Sequence, residues 1–144
     1  MPRKRVRRKI PEWVLRTVKI SSINPHVSIH ASKPRGEEPS IESGPSLELT
    51  GTMDEPIRDS SAVKIHVYPR DKVEPGPAKP PSVGAIIAIR PVVSVVVSFP
   101  QQDFDRVWQF ALSGELKYAS FVATPPHYKT AHVINLSFSS EAEE

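Results

Sequence analysis

The residues of this chain best suited to chemistry fall in one short run and one loop. The run is SFPQQDFDRVWQFALSG, residues 98–114, which concentrates Asp103, Asp105, Arg106 and Trp108. Two carboxylates facing one cleft would suit general acid–base work or glycoside cleavage. The loop is TPPHYKTAH, which carries His127, Tyr128, Lys129 and His132, the densest group of titratable and aromatic residues in the chain. A ligand-contacting loop or a polar hairpin tip would both look like this, and these residues are the first place to seek a small-ligand or enzymatic site.

The spacing in the first run argues against catalysis. Phe104, Val107, Trp108, Ala111 and Leu112 recur at helical intervals and predict one apolar stripe on a three-turn helix near residues 101–113. Asp103 and Asp105, two residues apart, would then diverge by about 200° around that helix and cannot share a cleft. Their ordinary role is at a helix start, where carboxylates favour the positive end of the dipole. Pro100 suits the helix start and Ser113–Gly114 the stop. The run reads as a lid over an apolar core, with Trp108 as its plug, and no catalytic residue is assigned.

Metal and thiol chemistry find little support. The chain has no cysteine, which removes thiolate ligands, thiol nucleophiles and disulfides together. His26 and His30 share a strand face, yet four residues of strand separate them by about 13 Å, too far for one ion. His66 or His132 on a neighbouring strand would be needed, and no carboxylate stands at matching spacing. P-loop, dinucleotide-binding, nucleophile-elbow and zincin motifs are all absent from the sequence. No metal site and no cofactor is expected.

The elements that must position these residues are strands. SLELTGTM sets Leu47, Leu49 and Met53 on one face, with Gly51 marking a bulge or a close approach. AVKIHVYP places Val63, Ile65 and Val67 inward against Lys64, His66 and Tyr68 outward; PHVSIHAS sets Val27, Ile29 and Ala31 against His26, Ser28 and His30. VGAIIAIRP and VVSVVVSF are apolar on both faces and predict central strands, with Val93, Val95, Val97 and Phe99 as the richer side. AHVINLSFS aligns His132, Ile134, Leu136 and Phe138. EWVLRTVKISSI switches phase between Trp13–Leu15 and Val18–Ile20, as a β-bulge or a sheet-crossing strand would. Together these predict an all-β fold: an antiparallel β-sandwich, jelly-roll or immunoglobulin-like, of about eight strands with one short amphipathic helix.

Proline divides the rest. Of 16 prolines, many lie in ASKPRGEEPSIESGPS (31–46) and YPRDKVEPGPAKPPS (68–82). Both stretches read as long polar surface loops, since proline offers a sheet no donor.

The net charge of +3 is concentrated at the ends. Arg3, Lys4, Arg5, Arg7, Arg8 and Lys9 form a basic arm, and Glu141, Glu143 and Glu144 an acidic tail, leaving 13 of the 19 basic and 13 of the 16 acidic residues for the body. The expected organisation is a basic arm (1–10), one domain (11–140) and an acidic tail (141–144). Six cations neutralise about six phosphates, a salt-sensitive and sequence-blind contribution. The arm is therefore a candidate nucleic-acid contact or a nuclear address, and otherwise a solubilising terminus. It lacks the apolar run of a signal peptide, and VGAIIAI and VVSVVV are far shorter than the roughly 18 residues of a spanning helix, so a soluble, cytoplasmic (or, in a eukaryote, nuclear) protein without membrane partners is expected.

The function these readings favour is a non-enzymatic interaction module that binds a protein partner or itself. The alternatives are a nucleic-acid-associated protein using residues 3–9, and a small-ligand binder or enzyme at His127, Tyr128 and His132.

Overall fold

The computed structural model describes residues 13–32, 36, 40–70, 82–127 and 130–141. Its elements in chain order are β1 (Val14–Ser32), β2 (Ser40–Ile57), β3 (Ser60–Arg70), β4 (Gly84–Ala88), β5 (Val93–Pro100), α1 (Gln101–Leu112), β6 (Tyr118–Ala123) and β7 (Ala131–Ser139). Among the described residues, the predominance of strands and the single short helix agree with the sequence pattern. The arrangement of the strands differs from the expected one.

The seven strands form one sheet that closes on itself in the order β1-β2-β3-β5-β4-β7-β6, in place of two facing antiparallel sheets of about eight strands. Closure around an odd number has a geometric consequence. Seven strands in a ring cannot alternate direction all the way round, so at least one neighbouring pair must run parallel. That pair is β3 and β5, aligned from Val63↔Val93 to Arg70↔Pro100; every other pairing is antiparallel. The sheet is mixed for this reason. Period-two patterning is common to sandwiches and barrels, so it does not report which of them forms. The closure is uneven: β4 meets β7 only at Gly84↔Val133, Ala85↔His132 and Ile86↔Ala131.

The inward rows are those the alternation predicts for β2, β3 and β5. Leu47, Leu49, Met53, Val63, Ile65, Val67, Val93, Val95 and Val97 are all buried, and Phe121, Ala119 and Val133 complete the interior from β6 and β7. Branched aliphatic side chains suit this interior because they fill a narrow barrel in few rotamers.

Bulges correct the remaining rows. In β1 the register shifts between Ile20 and Ser22, so Val14 and Val18 face the core while Trp13 and Leu15, 52 % and 62 % exposed, face out. The phase change is real but lies several residues later than the sequence suggests. In β7 the register shifts opposite Val122/Ala123; Ala131 and Val133 are buried, whereas His132 is exposed and Ile134 only half-buried. The expected His132–Ile134–Leu136–Phe138 row therefore does not exist, because the extra residue inverts the alternation midway. Gly51 sits opposite Ile20 beside the first bulge, and a Cβ there would lie 2.4 Å from the Lys19 carbonyl oxygen. Only glycine lets the two backbones approach so closely.

β5 ends and β6 begins at the same end of the barrel, and α1 bridges them. Phe104 and Ala111 are buried beneath it, with Val107, Trp108 and Phe110 half-buried against the core. The lid is as the pattern predicts, with two differences. Phe104 is the buried plug, its ring 5.8 Å from that of Trp108, and Leu112 is 58 % exposed. Leu112 lies about 80° round the helix from Phe104 and at its final turn, beyond the reach of the core. Pro100 occupies the N-cap and Gly114 follows the C-cap Ser113 with φ +80°, a conformation glycine adopts without steric cost.

The Pro-rich stretch 31–46 is not one loop. Its residues 40–46 belong to β2 and pair with β1, from His26↔Ser46 to Ser32↔Ser40. β1 pairs with β6 only as far as Lys19↔Tyr118, and β2 with β3 only from Leu47↔Val67 onward. The outer halves of β1 and β2 therefore leave the barrel as a two-stranded ribbon. Pro25 and Pro45 lie where each strand has a single neighbour, a place where a missing N–H removes nothing from the ladder and discourages further pairing. Of the other Pro-rich stretch, Tyr68–Arg70 complete β3, and residues 71–81 lie outside those described.

Candidate functional site

The structure does not gather the run at 98–114 into a reactive site. Asp103 lies in the first turn of α1, with Oδ1 4.0 Å from Nη1 of Arg106. Asp105 Oδ1 accepts a hydrogen bond from Gln101 Nε2 at 2.9 Å. Both are exposed helix-surface acids, and neither lines either of the two clefts described below.

The loop after β6 is closed by its own backbone. His127 N–H donates to the Thr130 carbonyl at 2.8 Å, Thr130 N–H returns to the His127 carbonyl at 3.2 Å, and the Thr130 hydroxyl reaches the same carbonyl at 3.3 Å. His132 and Thr124 are joined by two hydrogen bonds: the His132 N–H donates to the Thr124 hydroxyl at 2.9 Å and the Thr124 N–H donates to the His132 carbonyl at 2.8 Å. His127 and His132 are both exposed, His132 within β7 and His127 before it. Tyr128 lies outside the described residues, as do Arg3, Lys4, Arg5, Arg7, Arg8 and Lys9 of the basic arm. His26, His66 and His132 are on three different strands, opposite Ser46, Glu48 and Ala85 respectively. Among the described residues no three His, Asp or Glu side chains converge as metal ligands would.

The described residues line two clefts of interest on the outer surface. The first, of about 420 Å³, crosses β1, β6 and β7, where Thr17, Ser120 and Ser137 form one cross-strand row and Leu15, Val122 and Asn135 the next. Its charged groups are already engaged. Arg16 donates to the carbonyls of Leu15 (2.8 Å) and Pro56 (3.1 Å) and lies 3.9 Å from the Glu55 carboxylate, although its Nε has no partner. Asp54 Oδ1 accepts from the N–H groups of Thr17 and Glu55 at 3.0 and 2.9 Å. These bonds tie β1 to β2 at that end of the barrel.

The second cleft, of about 770 Å³, lies at the foot of the ribbon. His26, Ser28 and Ser46 line it from the ribbon, Tyr68 and Arg70 from the end of β3, and Gln101 from the start of α1. The parallel β3–β5 pairing puts Arg70 beside Pro100 and so brings the helix start to this wall. The Nε of Arg70 is buried and has no hydrogen-bond partner among the described residues. Leaving such a donor without an acceptor costs about 1–3 kcal/mol. The sequence marks His26 and Tyr68 as outward, but Arg70 falls in a segment that reads as loop. Only the strand register reveals that the three share a wall.

The inner face of the ribbon is different in kind. Val27 pairs with Pro45, Ile29 with Ser43 and Ala31 with Ile41. This face continues the row of Ile23 and Pro25, opposite Leu49 and Leu47, past the point where the barrel ends. Val27 is 52 % and Ile29 70 % exposed. The alternation correctly assigns them to the core-side face, but no core lies beneath them.

Compared with protein-family models, with curated proteins and with solved structures, the chain matches none. No described helix is long and apolar enough to cross a membrane, which leaves open crossing by strands.

Proposed function

We propose that this protein is a non-enzymatic binding module that engages a protein surface, in the first instance a second copy of itself, through the inner face of the β1–β2 ribbon. The observation that carries this reading is the exposure of Val27 and Ile29 on a core-type face that has run past its core. A two-stranded ribbon is marginally stable in water unless something covers its apolar side. An apolar surface is also its own complement, as a two-fold interface requires, whereas a patch of one charge would repel its copy.

Sedimentation velocity over a dilution series tests the reading. Wild-type protein should associate reversibly, and Val27→Ser with Ile29→Ser should shift it to monomer without unfolding it. A wild-type protein that stays monomeric at high concentration and captures no protein partner contradicts the proposal.

A further inference from the structure

Arg16 and Arg70 both sit where a strand reaches the rim of the barrel, but their surroundings differ. Arg16 has two carbonyls and a nearby carboxylate. Arg70, whose Nε like that of Arg16 is buried without an acceptor, forms no ion pair with a described carboxylate. A guanidinium can only donate, and no described residue supplies an acceptor for this Nε.

The cleft it lines is suited to supply one. At about 770 Å³ it falls within the range of small-molecule sites, about 300–1,000 Å³, and has room for far more than an inorganic ion. None of its described lining residues is a carboxylate. The helix-surface acid Asp105 accepts a hydrogen bond from Gln101, which lines the cleft. Ser28 donates to the Gly44 carbonyl at 3.4 Å and stays within the ribbon. His26 and Ser46 offer polar contacts from one side. On the other, Tyr68 is 43 % exposed and lines the cleft together with Pro45 and Pro69. A cation with no counter-charge among the described residues, flanked by polar groups and an exposed aromatic ring, suits an anion that carries a flat apolar portion.

We infer that the cleft at the foot of the ribbon binds a small organic oxyanion, Arg70 holding its phosphate or carboxylate group and Tyr68 covering an attached planar ring. The site is independent of the proposed protein interface, since His26 and Ser28 face away from Val27 and Ile29.

The test is a chemical-shift titration of the full chain with four probes: inorganic phosphate, benzoate, adenosine monophosphate and adenosine. Adenosine monophosphate or benzoate should bind saturably and more tightly than inorganic phosphate, with shifts at His26, Tyr68 and Arg70, and adenosine should not bind. The better of the two identifies the head group as phosphate or carboxylate. Arg70→Gln should weaken binding about tenfold or more, the loss expected for a charge-assisted hydrogen bond. Tyr68→Leu should weaken only the probes that carry a ring. Arg90→Gln, which removes an arginine paired with Asp59 away from the cleft, should change nothing. Arg70→Lys, which keeps the charge and loses the planar fork, should fall between wild type and Arg70→Gln and serves as the readout should the glutamine variant unfold. Absence of saturable binding by every probe at millimolar concentration overturns the inference. So does equal binding by wild type and the Arg70 variants.

Discussion

Val27 of β1 stands directly across from Pro45 of β2, two residues beyond the Pro25↔Leu47 pair at which the barrel wall gives way to the ribbon. On the core side of that boundary Leu47 and Leu49 are buried; on the far side Val27 and Ile29 are open to solvent. One uninterrupted strand face thus serves two environments. The barrel accounts for the first half of it, and the proposed interface for the second.

The helix lid makes a graded prediction. Phe104→Ala should destabilise the protein by about 3–5 kcal/mol, because it empties a fully buried aromatic site at the barrel end. Leu112→Ala, on the same helix but exposed, should cost less than about 0.5 kcal/mol. Chemical denaturation of both variants checks the pair. Equal losses would mean that α1 does not cover the core in the way described.

Gly51 provides a second test, of the bulge. Gly51→Ala places a methyl group against the Lys19 carbonyl and the Val18 side chain, and should destabilise by about 1–3 kcal/mol as an overpacked site does. Denaturant melts with an unchanged slope and a lower midpoint would fit local strain in an otherwise intact barrel. No loss of stability would show that β1 and β2 are farther apart than the register implies.

The inner rows of β2, β3 and β5 and the amphipathic helix were legible because their alternation runs unbroken from Leu47 to Leu49, Val63 to Val67, Val93 to Val97 and Phe104 to Ala111. The expected rows fail at two inserted residues. At Ile134 the alternation inverts between Val133 and Leu136, and in β1 the inversion falls at Ser21, so Trp13 and Leu15 stay outside the core row of Val14 and Val18. Nothing in the composition near Ser21 or Ile134 announces either insertion. Closure was illegible for another reason. Whether the outer strands of a sheet meet depends on twist and register summed over the whole ring, which no local pattern contains. Prolines misled at 40–46, where Pro45 sits on a free strand edge and not in a loop. For the cleft, His26 and Tyr68 could be seen to point outward, but their meeting with Arg70 depends on the parallel pairing of β3 with β5.

The basic arm remains a proposal with a distinct signature. If residues 3–9 contact nucleic acid, binding should fall steeply with salt, the logarithm of affinity dropping with a slope near the number of phosphates neutralised, about six at most. Deleting residues 1–9 should abolish it. A filter-binding series in increasing potassium chloride reads both effects, and undiminished binding by the shortened chain would remove the arm from any such role.

Substituting Val27 and Ile29 by serine should leave folding stability within about 0.5 kcal/mol of wild type, since both side chains are already largely solvated in the single chain. Thermal melts at a concentration where the protein is monomeric check this. A large loss would mean that the ribbon face is covered by the chain itself.

Amide hydrogen exchange of the wild-type protein at low and high concentration addresses the central proposal most directly. Association through the ribbon predicts that amides of residues 23–32 and 41–47 gain protection as concentration rises, while those of β3, β5 and β7 do not change. Protection of the ribbon that is independent of concentration, and unaltered by any protein the chain captures, would contradict it.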